Sequence, residues 1–268
     1  MKKILVPTDF STVADNAFEH ALGIAEVLGS ELYLYHTYQL HKIDYHKDFP
    51  AHQQPETEKR LRLMEGKKVM FMNDIRDKNI RLHTFVERES VSALFGEIVE
   101  RHGLDMIVMG SSGASGLRRF LIGSVATTAI EEASVPVMII PSQHHYRPIK
   151  KIVLAIDREE IDARVLYFIR NLAVKFGASI TIITVYKKSS GLHHDIRTLA
   201  IEGVEVAYEE LILNSNVNKT ITEYIQNNDC DLLCMIRREK DFFQNFFESS
   251  ITKKQAYDSE IPLLILSE

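Results

Sequence analysis

The stretch "DMIVMGSSGASGLRRFLIGSVATTAIEEASVPVMIIPS", residues 105–142, holds an apolar run, a glycine-rich segment, a helix-like segment and a second apolar run, in that order. Apolar runs that alternate with helical stretches predict a parallel sheet covered by helices on both faces. The glycine-rich segment thus lies between a buried strand and the start of a helix, where flexible linkers are uncommon. We therefore favour a binding loop over a linker as its interpretation.

The chain contains this arrangement twice. "KKILVPTDFS" at 2–11 matches "KKIVLAIDRE" at 150–159, and residues 105–142 align without a gap with residues 231–268. Each copy has a lysine pair, an apolar run and an aspartate near its start. Internal similarity of this kind is the sequence signature of a duplicated structural unit. We interpret the chain as a tandem duplication.

The proline- and histidine-containing stretch at 141–149 interrupts the apolar runs on both sides of it. Such composition is typical of a domain boundary. We predict one domain at residues 1–143 and a second at 149–268. The fold class that follows is α/β, with two tandem doubly wound five-stranded parallel sheets and helices on both faces.

The helix and strand signals support this division. Strands are predicted near residues 2–7, 31–37, 80–86, 105–109 and 136–140, and again near 151–156, 179–185, 204–208, 231–236 and 262–266. The first helix has Ser11 or Thr12 as its N-cap and Gly29 as its stop. Its apolar face comprises Ala14, Ala17, Phe18, Ala21, Leu22 and Ala25. A polar insertion at 39–60, which the second half lacks, is predicted to lead into a helix near 56–78.

Composition excludes several classes of protein. The 268 residues carry a formal net charge of -5, which argues against a general nucleic-acid binder. The start "MKKILVPTDF" has too few apolar residues for a signal peptide, and no apolar run is long enough to span a bilayer. Cys230 and Cys234 lie in one apolar segment and indicate a reducing compartment, with no disulfide framework. We expect a cytoplasmic protein without membrane or nucleic-acid partners.

Polar and glycine residues follow two predicted strands. In a doubly wound sheet, ligands bind beyond the carboxyl ends of the strands, which is where Asp9 and Gly110 fall. We expect the glycines to adopt positive φ and to let the backbone approach a ligand closely. The start of the following helix, with its free amides, suits a phosphate chain. The residues of this group are Gly110, Ser111, Ser112, Gly113, Gly116, Arg118, Arg119, Gly123 and Ser124.

Gly110, Gly113, Gly123 and Ser124 show the spacing of a known signature: glycine, two residues, glycine, nine residues, then glycine and serine or threonine. With this signature the chain resembles the universal stress protein family, in its ATP-binding branch. The start "ILVPTDFS" is similar to the first strand of that family with its adenine-side aspartate, here Asp9. The resemblance covers the whole chain as two copies.

The resemblance implies a strand order of 3-2-1-4-5, ATP bound across strands 1 and 4, and pairing between fifth strands. It places Pro7, Thr8, Asp9, Thr37 and Val86 on the adenosine side, and Met109, Gly110, Ser111, Gly113, Gly123, Ser124 and Val125 at the phosphates. We add Arg118 and the weaker candidate Arg119 on charge grounds alone. The ligand is ATP, with ADP or AMP as alternatives, and Mg²⁺ would enter only through the phosphates.

The second copy departs from the signature. Ile236, Glu239 and Ser249 stand where the first copy has its three signature glycines. Losing three charge-assisted hydrogen bonds costs about 4.5 kcal/mol, or about a thousandfold in affinity. We therefore expect one nucleotide per chain, in the first half. The cluster Phe242, Phe243, Phe246 and Phe247 fills the vacated pocket, covers an interdomain surface or docks a partner.

The function predicted is that of an adenine-nucleotide-binding stress-response or regulatory protein with slow hydrolysis at most. Two alternatives remain, a slow ATPase and a nucleotide-free interaction scaffold. The chain lacks the phosphate-loop motif with its lysine and the nucleophile elbow, and its histidines show no ligand spacing. The two terminal strands, "VPVMIIP" and "IPLLILSE", are apolar edges, and pairing them within the chain would protect both. A further dimer of chains stays open.

Overall fold

The computed structural model describes residues 1–39, 53–111, 122–156, 161–186, 200–237 and 260–268. Its strands are β1 (Lys3–Pro7), β2 (Glu31–Thr37), β3 (Leu82–Glu87), β4 (Met106–Gly110), β5 (Val137–Ile140), β6 (Lys151–Ala155), β7 (Ser179–Tyr186), β8 (Val206–Ile212), β9 (Leu232–Arg237) and β10 (Leu263–Ser267). Its helices are α1 (Thr12–Leu28), α2 (Gln53–Ile75), α3 (Val91–Phe95), α4 (Glu97–His102), α5 (Ser124–Glu132), α6 (Ala163–Phe176) and α7 (Val217–Asn227).

The described strands form one ten-stranded sheet in the order β3-β2-β1-β4-β5-β10-β9-β6-β7-β8. Within the first half the order is 3-2-1-4-5, and the second half repeats it from the other side. Neighbouring strands inside each half run parallel. The predicted α/β fold class is confirmed.

The two halves meet through their fifth strands. β5 pairs with β10 in antiparallel register, with Ile139 opposite Leu263 and Val137 opposite Ile265. All four of these residues are buried. The predicted pairing of "VPVMIIP" with "IPLLILSE" is therefore confirmed, and it removes two apolar edges that would otherwise invite association with other chains.

Two apolar layers cover the faces of the sheet, and each draws residues from both halves. Leu34 and Leu154 belong to one layer, and Leu5 and Val153 to the other. Because the sheet and both layers continue from one half into the next, the domain boundaries 1–143 and 149–268 stay a prediction. Within the described part of the chain, no helix has the length and apolarity to cross a bilayer.

Helix α1 begins and ends where its sequence signals predicted. The hydroxyl of Ser11 accepts a hydrogen bond from the Ala14 amide at 3.2 Å, and Gly29 adopts the left-handed conformation with φ 67°. All six residues of the predicted apolar face are buried. Helix α2 also forms as predicted, but it lies about one turn nearer the N-terminus than residues 56–78.

One aspartate in each half fixes the start of the central strands. The carboxylate of Asp105 accepts hydrogen bonds from the amides of residues 2 and 3 at 2.6 and 3.1 Å. Asp231 accepts from the amides of residues 150 and 151 at 2.8 and 2.9 Å. The repeated lysine pair and the aspartates that open the two aligned segments 105–142 and 231–268 thus make the same backbone contact in both halves.

Candidate functional site: the cleft at the ends of β1 and β4

A cleft of about 320 Å³ opens where β1, β2 and β4 end, beside the start of α5. Within the sheet, β1 has β2 as its neighbour on one side and β4 as its neighbour on the other. This is the topological switch point, at which doubly wound proteins bind their ligands. The volume lies at the lower end of the range for small-molecule sites.

Ten of the residues identified from the sequence line this cleft. They are Pro7, Thr8, Asp9, Thr37, Met109, Gly110, Ser111, Gly123, Ser124 and Val125. Val86 is described but does not line the cleft, because it packs against one apolar layer of the core from β3. Gly113, Gly116, Arg118 and Arg119 lie outside the described residues.

The turn after β1 places Asp9 at the rim of the cleft. The Thr8 amide donates to the Tyr35 carbonyl at 2.9 Å, and the Thr8 hydroxyl accepts from the Phe10 amide at 3.0 Å. Asp9 Oδ1 accepts from the Ser11 amide at 3.0 Å, so its exposed carboxylate sits directly before α1. Phe10 has φ 66°, a conformation that a bulky residue adopts only where its surroundings enforce it.

His36 forms part of the cleft wall beside this turn. Its Nδ1 donates to the Thr8 carbonyl at 2.7 Å, and its ring lies 4.3 Å from that of Phe10. Burial lowers the pKa of His36, so the imidazole is neutral near pH 7 and its Nε2 is an acceptor. Nε2 is buried and has no hydrogen-bond partner in the described part of the chain. Buried polar atoms without a partner are uncommon in folded proteins.

The start of α5 presents backbone amides to the cleft. Its N-cap residue, Gly123, has no side chain with which to satisfy them. The hydroxyls of Thr127 and Thr128 donate to the carbonyls of Gly123 and Ser124 and leave the amides uncapped. The Gly123 amide itself donates to the Ser111 carbonyl at 2.6 Å, which ties the two ends of the glycine-rich loop together. This arrangement is chemically suited to an anion.

The conformation expected for two of the glycines is wrong. Gly123 has φ -69°, and Gly110 continues a regular strand opposite Ile140, so neither adopts positive φ. The other two glycines for which positive φ was expected, Gly113 and Gly116, lie outside the described residues. What Gly110 and Gly123 contribute is the absence of a side chain at the wall of the cleft.

Six further residues line the cleft and were missed from the sequence. They are Ala14, Tyr35, His36, Val91, Leu94 and Ala126. The position of Tyr35 and His36 next to Thr37, at the end of a predicted strand, was a usable signal. Val91 and Leu94 come from α3, a helix of five residues that carries no sequence signature of its own.

An open doubly wound α/β fold with a cleft at its switch point defines the class of this protein. Residues 1–141 match the model of the Universal stress protein family. The match spans more than half of the 268 residues, and the chain belongs to that family.

Individual relatives agree with the family assignment. A universal stress protein of Methanocaldococcus jannaschii is 33% identical over 143 residues, which cover 52% of this chain and 81% of that protein. A second one from the same organism is 27% identical over 152 residues, covering 52% of this chain and 94% of the relative. The crystal structure of a universal stress protein from Archaeoglobus fulgidus has a TM-score of 0.77 at 19% identity and covers 99% of this chain and 98% of its own. That likeness shows that the tandem fold extends over both halves.

Proposed function

We propose that this chain is an adenine-nucleotide-binding regulatory protein of the stress response, which holds ATP in the cleft of its first half. The observation that carries the proposal is the meeting of ten sequence-identified residues around one cleft, with the uncapped start of α5 in its wall. Membership of the universal stress protein family supports the same function.

The phosphate end of the nucleotide belongs at α5. The amides of Ser124 and Val125 and the positive end of the helix dipole attract an anion there, and the Ser111 and Ser124 hydroxyls add donors. Asp9 is the one charged group among the described lining residues, so backbone amides rather than cations neutralise the phosphates in this part of the site. Arg118 and Arg119 would supply positive charge from the glycine-rich loop.

Mg²⁺ would be carried by the phosphates rather than by a site of the protein. Among the described residues, no group of three or more histidine, cysteine, aspartate or glutamate side chains could hold a metal ion. ATP brings its own oxygen ligands for Mg²⁺, an ion that commonly keeps several waters in such complexes. We therefore expect the cation to strengthen ATP binding without binding alone.

The adenosine end belongs near Asp9, Thr37 and Pro7. The Asp9 carboxylate is an acceptor at this end of the cleft, and the exocyclic amino group of adenine and the ribose hydroxyls are donors. In this placement Asp9 and His36 lie at the base and ribose. Neither is a general base beside the terminal phosphate, so hydrolysis is slow at most.

The sequence of the second half departs from the glycine signature of the first half. Ile236 and Arg237 occupy the positions that Gly110 and Ser111 hold in the first half, in the equivalent strand register. The side chain of Ile236 stands where Gly110 has none, at the equivalent end of the strand. We therefore expect one nucleotide per chain.

Isothermal titration calorimetry on the intact chain tests the proposal. ATP, ADP, AMP and adenosine are compared, and we expect about one site per chain and an affinity that rises with the number of phosphates. Gly123→Val places a branched side chain at the start of α5 and is expected to abolish ATP binding. The matched control is Gly66→Val in α2, where an added Cβ meets nothing within 4 Å.

Two results would contradict the proposal. Absence of binding for all four ligands would favour the nucleotide-free scaffold, and a ratio near two would refute the difference between the halves. Phosphate release that is fast and that Gly123→Val abolishes would instead identify a turnover enzyme.

A further inference from the structure

Arg237, at the end of β9, contacts the other half of the molecule. Its Nη1 donates to the carbonyl oxygens of Ile130 and Glu131. Its Nη2 donates to the Ala133 carbonyl and to the Ser267 hydroxyl, and both of these Nη2 contacts measure 2.9 Å. Three of the four acceptors lie in or directly after α5. An arginine of the second half thus caps a helix of the first half.

Among the described residues, the one other side chain that contacts this end of α5 is Ser267, whose hydroxyl donates to the Ala133 carbonyl at 3.4 Å. The last four carbonyls of a helix lack partners within it. Ala133 at the C-cap has φ -66°, so there is no left-handed residue to close the helix, and the last turn contains no basic residue. The guanidinium of Arg237 supplies both the donors and the positive charge that a helix C-terminus favours.

The opposite end of the same helix forms the wall of the cleft. Helix α5 is nine residues long, about 13 Å, with the amide of Ser124 at one end and the carbonyls that Arg237 contacts at the other. We propose that Arg237 is a positioning residue for the nucleotide site, which fixes α5 from the second half so that its first amides converge on the phosphates. This inference rests on the proposed function and adds to it a coupling between the halves.

Equivalent positions in the two halves make different contacts with α5. Arg237 occupies in the second half the position of Ser111 in the first. Ser111 serves its own half, because its carbonyl holds the Gly123 amide at the start of α5. Arg237 instead turns away from its own strand end and reaches the far end of that helix. The copy that lost the glycine signature therefore supports the site of the copy that kept it.

Coupling of this kind is reciprocal. If Arg237 improves phosphate binding, ATP must in turn strengthen the contact between Arg237 and α5. Hydrogen exchange at the amides of β10 near Ser267 is therefore expected to slow when ATP binds to the wild type, and to respond less in an Arg237 variant.

The test compares Arg237→Met and Arg237→Lys with Arg164→Met. Arg164 is an 81% exposed arginine at the start of α6 whose donors go to Asp162, so its removal controls for the loss of a cation. We expect Arg237→Met to lower ATP affinity about tenfold and adenosine affinity less than about twofold, because adenosine does not engage α5. Arg237→Lys keeps the charge but has fewer donors, so its ATP affinity is expected to lie between those of the wild type and Arg237→Met. It replaces Arg237→Met in the test if the Met variant does not fold.

The failure of this inference is distinguishable from the failure of the proposed function. A wild type that binds no adenine nucleotide refutes the function. The inference itself fails if the α5 amides of residues 127–130 exchange equally fast in Arg237→Met and in the wild type. It also fails if ATP and adenosine affinities fall by the same factor, since that result means a general loss of structure.

Discussion

At the scale of single residues, Gly23 is where α1 meets the segment that connects the halves. A Cβ atom at Gly23 would lie 2.0 Å from Cζ of Tyr146, so only glycine leaves room for that ring. Tyr146 also packs edge-on against His20 with ring centroids 5.7 Å apart. The connecting segment is thus held against α1 by contacts that one added methyl group would displace.

Gly23→Ala is expected to destabilise the fold by about 1–3 kcal/mol, although alanine normally improves a helix. The matched control is Gly66→Ala in α2, which is expected to stabilise by about 0.5–1 kcal/mol because its Cβ enters open space. Urea unfolding measures both. In a Tyr146→Ala background the cost of Gly23→Ala should vanish, and a cost that persists there would contradict the steric explanation.

His144 of the same segment pairs with His20 of α1, and this pair makes the stability of the fold depend on pH. His20 Nδ1 donates to the Asn16 carbonyl, so its Nε2 accepts from His144 Nδ1 at 2.9 Å. Burial, with a further effect of the neighbouring His20, lowers the pKa of His144 to about 4, and burial lowers the pKa of His20. In the unfolded chain these two histidines bind protons as the pH falls through about 6.5. In the folded chain they stay neutral until a lower pH is reached.

Stability from this pair is therefore complete above pH 6.5 and is lost as the pH falls toward 4. Between pH 7 and 5 we expect the wild type to lose about 1 kcal/mol more than His144→Gln, after allowance for solvent exposure. The exposed neighbour His145 provides the control His145→Gln, which should follow the wild type. Denaturant unfolding at both pH values measures the difference, and parallel losses in wild type and His144→Gln would refute it.

At the scale of elements, an aspartate fixes the start of the central strand in each half. Asp105→Ala and Asp231→Ala each leave two strand amides without their acceptor, and each is expected to cost about 1–3 kcal/mol. Asp231 also pairs with Arg147 at 2.9 Å, so its removal should cost slightly more. Thermal unfolding of the two variants side by side checks this, and two values indistinguishable from the wild type would contradict it.

Most elements could be predicted from the sequence because their signals are local. Most strand ends, the Ser11 cap and the Gly29 stop follow from periodicity and from residue preferences that need no tertiary contact, whereas β8, predicted near 204–208, runs from Val206 to Ile212. The short α3 could not be found, since five residues provide less than two helical turns of pattern.

The same distinction applies to the candidate site. Its glycines and serines follow a fixed spacing and were identified directly. His36 and the left-handed Phe10 depend on the packing of a turn against a neighbouring strand, which no sequence window contains. Arg237 lies more than one hundred positions from its partners in α5, and its role requires the pairing of β5 with β10 to be known first.

At the scale of the whole molecule, the duplicated halves form one sheet but contribute unequally. The first half contains the cleft with the glycine signature, and the second half supplies the antiparallel strand and the arginine that hold α5 in place. A duplication makes such a division of roles accessible, because one copy is free to lose its ligand site while its contact with the other persists.

The most direct test of this account is a crystal structure of the intact chain with bound ATP. We predict one nucleotide per chain, with its base and ribose beside Asp9 and Thr37 and its phosphates against the amides of Ser124 and Val125. ATP bound elsewhere, or a cleft occupied by the protein's own side chains in the presence of saturating nucleotide, would contradict the account.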